Sequence, residues 1–154
     1  MNKKEIKEWL NSYNIINYRI NSDLTVDVDG PVNLYRRNLT SIPIQFGKVT
    51  GYFDCDYNNL QSLEGCPEKV GGSFYCSYNK LQSLKWCPTK IGGNFACHHN
   101  NLTTLEYKPE VVKIKIFYVD ILTYYNLIVK KVWTLDDTEE IPYKLMNVWK
   151  DLYE

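Results

Sequence analysis

The sequence has no apolar run long enough to cross a membrane, no excess of charge of either sign, and no cysteine pair at metal-ligand spacing. Each absence removes a class of protein. A membrane-spanning helix needs about 20 consecutive apolar residues, and nothing here approaches that. The opening MNKKEIKEWL interrupts its apolar residues with Glu5, Lys7 and Glu8, so no secretory signal is expected. Lysine plus arginine and aspartate plus glutamate number 18 each, leaving no net field to hold a polyanion, which disfavours nucleic acid as a partner. The five cysteines are odd in number and, without a secretion signal, are expected as free thiols in a reducing cytoplasm. Nucleophile elbow, phosphate loop, zinc-ligand pattern and kinase signature are all missing. No catalytic residue, cofactor or metal site is therefore expected. The 154 residues suit one domain, 1–154.

What is present is a period of 21 residues. Phe53, Phe74 and Phe95 align at that spacing, as do Cys55, Cys76 and Cys97, and Asn58, Asn79 and Asn100. Leu60, Leu81 and Leu102 follow, then Leu63, Leu84 and Leu105, Pro67, Pro88 and Pro109, and Val70, Ile91 and Val112. One further step back places Val32, Leu34, Leu39, Ile42 and Val49 in the apolar columns, with Arg37 where asparagine belongs. That is a degraded first repeat. A fixed period of this length is the signature of a solenoid.

Each unit reads V-G-G-x-F-x-C-x-x-N-x-L-x-x-L, which resembles the leucine-rich repeat with phenylalanine and cysteine in two of its leucine positions. The resemblance implies one parallel strand per turn in a curved sheet, returning through an irregular convex side. The residues carry part of this independently. Phe74-x-Cys76 has the period of two of a strand facing a core, and Leu81 and Leu84 follow after a turn. The pairs Gly71-Gly72 and Gly92-Gly93 offer permissive backbone between turns.

The repeated asparagine is expected to be structural, its amide bonding backbone groups of its own and the neighbouring turn. Cys55, Cys76 and Cys97 should stack into the core as small hydrophobes, with Cys66 and Cys87 forming a second column on the convex side.

The flanks are expected to cap the solenoid, giving an N-terminal cap over 1–29, repeats over 30–112 and a C-terminal strand and helical cap over 113–154. Ile6, Trp9, Leu10 and Tyr13 share one helical face, and Asn2 with Glu5 fit a capping box. Ile16, Tyr18 and Ile20 alternate, as do Leu24, Val26 and Val28, with Asn21-Ser22-Asp23 between, predicting a hairpin that joins the first repeat. Ile114, Ile116 and Tyr118 alternate as a last strand. Helices are expected over 120–132 and, from the shared face of Ile141, Leu145, Val148, Trp149 and Leu152, near the end of the chain. The fold class is thus an α/β solenoid with one curved, mainly parallel sheet, an N-terminal helix-hairpin cap and a C-terminal helical cap. The order I-x-x-W-L, LTVDVDG, IPIQF-x-x-V-x-G-x-F-x-C is similar to small leucine-rich-repeat proteins of tailed phages and bacteria. That similarity implies a host-cell cytoplasmic setting.

On such a sheet the residues between core positions face the concave side, where repeat proteins bind partners. The candidates are Tyr35, Arg36, Asp54, Asp56, Tyr57, Tyr75, Ser77, Tyr78, Ala96, His98 and His99. Aromatic anchors with a carboxylate pair suit a protein partner, although tyrosine and aspartate also simply solvate a sheet. His98 and His99 are the only histidines, and neighbours on a strand point to opposite faces, so both reach one ion only if the strand ends there. Trp86 stands where the preceding unit has Gly65, and is expected to find cover as packing, or else to be a second contact.

The expected function is a non-enzymatic protein-binding module, by resemblance a phage inhibitor of a host or antiviral protein. The alternatives are a small-ligand or nucleotide binder using the tyrosines, and an enzyme centred on His98 and Asp56. A homodimer through the C-terminal helices is a further expectation.

Overall fold

The computed structural model describes residues 1–104, 106–112 and 117–118, the pairs 111–112 and 117–118 as backbone. The helices expected over 120–132 and 141–152 lie outside the described residues, as does the capping role assigned to them.

The chain begins with helix α1 (Lys3–Ser12). Its start is set by Asn2, whose Oδ1 accepts hydrogen bonds from the Lys4 and Glu5 amides at 2.9 and 3.0 Å. Glu5 Oε2 in turn accepts from the Asn2 amide at 2.7 Å, completing the capping box. Ile6 and Leu10 are buried against the first turn of the solenoid, with Trp9 and Tyr13 packed beside them. The hairpin follows as β1 (Tyr18–Ile20) and β2 (Val26–Val28), antiparallel, with Tyr18 opposite Val28 and Ile20 opposite Val26. Leu24 lies in the connecting turn at φ 68° rather than in the strand.

From there the protein is a parallel β-solenoid of about three turns. One wall is formed by β2, β4 (Phe46–Val49), β6 (Lys69–Val70), β8 (Lys90–Ile91) and β10 (Val111–Val112). A second wall is formed by β3 (Val32–Asn33), β5 (Phe53–Asp54), β7 (Phe74–Tyr75), β9 (Phe95–Ala96) and β11 (Phe117–Tyr118). The expectation of one curved sheet is corrected to two. The reason lies in the glycine pairs. Val70 and Phe74 belong to one unit but to different walls, because the chain turns a corner at Gly71-Gly72 between them. These glycines do not have positive φ. Their need for glycine is steric: a Cβ on Gly71 would collide with the Thr50 carbonyl, and one on Gly92 with the carbonyl of Gly71. The backbone ladder runs unbroken around the corner, Gly71 N–H donating to Val49 O at 2.8 Å and Gly72 N–H to Gly51 O at 2.9 Å.

After a shift between β2 and β4, where Val26 stands opposite Phe46 but Val28 opposite Val49, the 21-residue register holds in both walls: Val32 opposite Phe53 and Phe53 opposite Phe74, Lys48 opposite Lys69 and Lys69 opposite Lys90. It slips at the end, where Phe117 rather than Ile116 stands opposite Phe95. Inside, Phe53, Phe74 and Phe95 stack with centroids 5.7 and 6.0 Å apart, and Phe46 meets Phe53 edge-on at 5.3 Å. Burying each ring is worth roughly 1.5–3 kcal/mol, so this spine contributes to cohesion between turns alongside the buried Leu60, Leu63, Leu81 and Leu84. Among the described residues no helix is long and apolar enough to cross a membrane.

Candidate functional site

After its second strand each turn bends sharply, and the bend is built by two residues. The first takes a left-handed backbone: Arg36 at φ 52°, Tyr57 at 56°, Tyr78 at 54° and His99 at 55°. That conformation costs a non-glycine residue roughly 1–2 kcal/mol. The second, asparagine in the later turns, offsets it. The Asn58 amide donates to Leu34 O, Cys55 O and Asp56 O at 2.8, 3.0 and 3.2 Å, while its Oδ1 accepts from the Arg37 and Leu39 amides. Asn79 donates to Cys55 O, Cys76 O and Ser77 O and accepts from Leu60; Asn100 repeats the pattern with Cys76 O, Cys97 O, His98 O and Leu81. Each amide joins its own turn to the one before, as its backbone role required.

Because the bends are identical, the side chains of the first residue stack. Tyr57 lies on Tyr78 with centroids 4.1 Å apart and planes 12° from parallel, and Tyr78 lies on His99 at 4.2 Å and 10°. The Arg36 guanidinium sits 4.7 Å from the Tyr57 centroid, and Tyr35 meets Tyr57 edge-on at 5.4 Å. Hydrogen bonding to Tyr78 raises the Tyr57 phenol above its usual pKa. Tyr35 and Tyr57 remain exposed. The sequence placed these residues on a sheet face; they form an aromatic corner beyond its edge. A spacing of 21 was visible, but the left-handed backbone that brings the rings into contact was not.

The second wall carries the rest. Asp54 stands opposite Tyr75, and Tyr75 opposite Ala96. Asp54 accepts a hydrogen bond from the Asp56 amide at 2.9 Å, and Asp56 accepts one from the Ser77 amide. Burial raises the Asp54 carboxyl. Burial, and then repulsion from Asp54, push Asp56 up to about 7 against the Ser77 hydrogen bond. Ser77 and Ala96 are corrections: Ser77 is fully buried, with its Oγ lacking a hydrogen-bond partner among the described residues, and Ala96 is buried as well. Neither is presented to a partner in this conformation. Ser77 occupies the turn between those of Asp56 and His98, which separates the proposed acid–base pair by two steps of the solenoid.

Strand β9 ends at Ala96, so His98 and His99 lie in the bend, where their Nδ1 atoms face each other at 2.8 Å. Trp86 is elsewhere and is 51% exposed, which corrects the expectation of packing. It adopts φ 72° in the column of Gly65, whose own φ is 92° and whose Cβ would strike the Ile42 and Ile44 carbonyls. Lys85 Nζ lies 5.3 Å from the Trp86 ring centroid. All five cysteines are free and buried, and burial raises Cys66, Cys76 and Cys87 well above the ordinary thiol value. They are packing atoms, unreactive as long as the core is closed.

One feature escaped the sequence entirely: a groove of about 390 Å³ between the end of α1 and the first turn, lined by Tyr13, Ile16, Asp29, Asn33 and Arg37 among others. Its lining residues come from four separate segments and share no motif. Comparison with protein families, with curated proteins and with solved structures finds no match. The fold therefore defines the class, a short parallel β-solenoid, and function rests on the residues themselves.

Proposed function

We propose that the chain is a non-enzymatic protein-binding module, engaging a macromolecular partner through the aromatic corner of Tyr35, Arg36, Tyr57, Tyr78 and His99 and the adjoining Asp54, Asp56 and Tyr75. The observation that supports this most is the continuous stack from Arg36 to His99. Tyrosine and arginine are the residue types that dominate binding hot spots. Rings already held against each other lose little further freedom when a partner covers them, which lowers the entropic cost of association. Beside them the carboxylates of Asp54 and Asp56 favour a partner that presents a basic side chain, since a cation there relieves their mutual repulsion.

The leucine-rich-repeat reading supplies a setting. The V-G-G-x-F-x-C-x-x-N-x-L-x-x-L unit resembles those of phage and bacterial proteins, and a phage protein of this kind would act in the host cytoplasm by occupying a host or antiviral protein. That extension rests on the resemblance alone. Affinity capture from host-cell lysate, with bound proteins identified by mass spectrometry, tests the proposal. A specific protein should be retained by the wild type and lost when Tyr35, Tyr57 and Tyr78 are all replaced by serine. Equal recovery by the variant would remove the corner from the interface.

A further inference from the structure

We propose that His98 and His99 form a two-imidazole site for a divalent cation of the zinc class, independent of any protein partner. Adjacent residues can share an ion only where the strand between them has ended, and here that condition is met: β9 stops at Ala96 and His99 turns to φ 55°. The two Nδ1 atoms consequently converge to 2.8 Å. Two Zn–N bonds of about 2.0–2.1 Å at a tetrahedral angle set their nitrogens about 3.3 Å apart. The rings need to open by only about half an ångström, well within side-chain rotation.

The site is held in place from three sides. Tyr78 lies parallel to the His99 ring at 4.2 Å and edge-on to His98 at 5.2 Å, setting the two imidazoles at 76° to each other. The His98 carbonyl accepts from the Tyr78 amide at 3.0 Å and from the Asn100 side chain at 3.4 Å. The backbone beneath the pair is therefore fixed before any ion arrives, and preorganised ligands are what a weak two-residue chelate requires.

The proton balance is simple. In the neutral pair one Nδ1 donates its hydrogen to the other, so one ring is protonated at Nδ1 and its partner at Nε2. Cation binding displaces that bridging hydrogen, which moves to Nε2 of the same ring through solvent. Both rings then carry hydrogen at Nε2 and both Nδ1 lone pairs face the metal, with no net proton released. Among the described residues no group of three or more His, Cys, Asp or Glu side chains is arranged to hold a metal, and water would fill the positions that the two imidazoles leave open. All five cysteines are buried in the core, away from the bend, and burial raises the thiols of Cys66, Cys76 and Cys87 well above their ordinary value.

Titration calorimetry of the full chain with zinc chloride in a non-chelating buffer tests this. Wild type should bind one equivalent, and His98→Gln and His99→Gln should each weaken binding at least tenfold while leaving the circular dichroism spectrum unchanged. Absence of one-to-one binding to wild type, or undiminished binding by either variant, overturns the proposal. Long-range ¹⁵N spectra of the wild-type histidines give a second readout that needs no variant. Zinc must shift both Nδ1 resonances, and a shift confined to Nε2 would equally overturn it.

Discussion

Tyr57 and Tyr78 lie ring on ring, 21 residues apart in sequence and 4.1 Å apart between centroids. Aromatic pairs of this kind contribute about 0.5–1.5 kcal/mol beyond their burial. A double-mutant cycle with Tyr57→Ala and Tyr78→Ala, followed by urea unfolding, should return a coupling energy in that range. Strictly additive effects would mean that the rings are neighbours without being energetically joined.

Asn79 makes one accepted and three donated hydrogen bonds, all to backbone, inside the solenoid. Asn79→Ala leaves the buried Leu60 amide without its acceptor, at about 1–3 kcal/mol, and takes one of two donors from each of Cys55 O, Cys76 O and Ser77 O. A net loss of about 2–3 kcal/mol is expected after local relaxation. Asn79→Asp should be at least as damaging at neutral pH, since a carboxylate cannot donate to Cys55 O, Cys76 O and Ser77 O. Chemical denaturation of the two variants compares them directly. An aspartate variant as stable as wild type would refute the donor role.

Trp86 is half exposed and holds a left-handed backbone in a column that the preceding turn fills with Gly65. Replacing it with glycine removes a backbone cost of roughly 1–2 kcal/mol and loses the contact with Lys85. Trp86→Gly should therefore leave the melting temperature unchanged or raise it by a few degrees. A loss above about 2 kcal/mol would show that the ring supports the fold after all.

The Asp56 carboxyl is raised to about 7, against about 3.9 for an unfolded aspartate. The folded state thus binds this proton more tightly. Its contribution to stability is complete below the unfolded value and is lost as pH rises through about 7. Asp56→Asn keeps an acceptor for the Ser77 amide and removes the titration. The variant should exceed wild type by about 1–2 kcal/mol at pH 8, the figure allowing for partial solvent screening of the site, and the advantage should vanish near pH 4. Thermal unfolding across that range measures it, and an advantage that grows toward low pH would contradict the assigned cause.

The repeat, its register and its core were legible because they depend on side-chain type at a fixed spacing. Phe53, Phe74 and Phe95 declare their column directly, and Asn58, Asn79 and Asn100 occur where a bend must satisfy its carbonyls. The N-terminal helix was legible for a similar reason, since Asn2 and Glu5 sit three residues apart before an apolar face. The wall of β4, β6, β8 and β10 was not. A two-residue strand such as Lys69–Val70 has no periodicity to read, and the glycines that separate it from Phe74–Tyr75 signal freedom when their true role is close approach. The candidate residues were legible as a set but not as a geometry. Tyr57 and Tyr78 follow Asp56 and Ser77 as immediate neighbours, and only the left-handed bend separates a stacked corner from a partly buried face. Ser77 shows the limit most clearly, because a small polar residue between core positions reads as exposed and is not.

Site-specific photo-crosslinking in living cells tests the central claim, that the aromatic corner is the surface that meets a partner. Tyr57 on the corner and Lys90 on the opposite wall would each be replaced by a photoreactive phenylalanine analogue, and the cells irradiated. The account predicts a discrete protein adduct from position 57 and none from position 90. An adduct from position 90 with none from position 57 would contradict it.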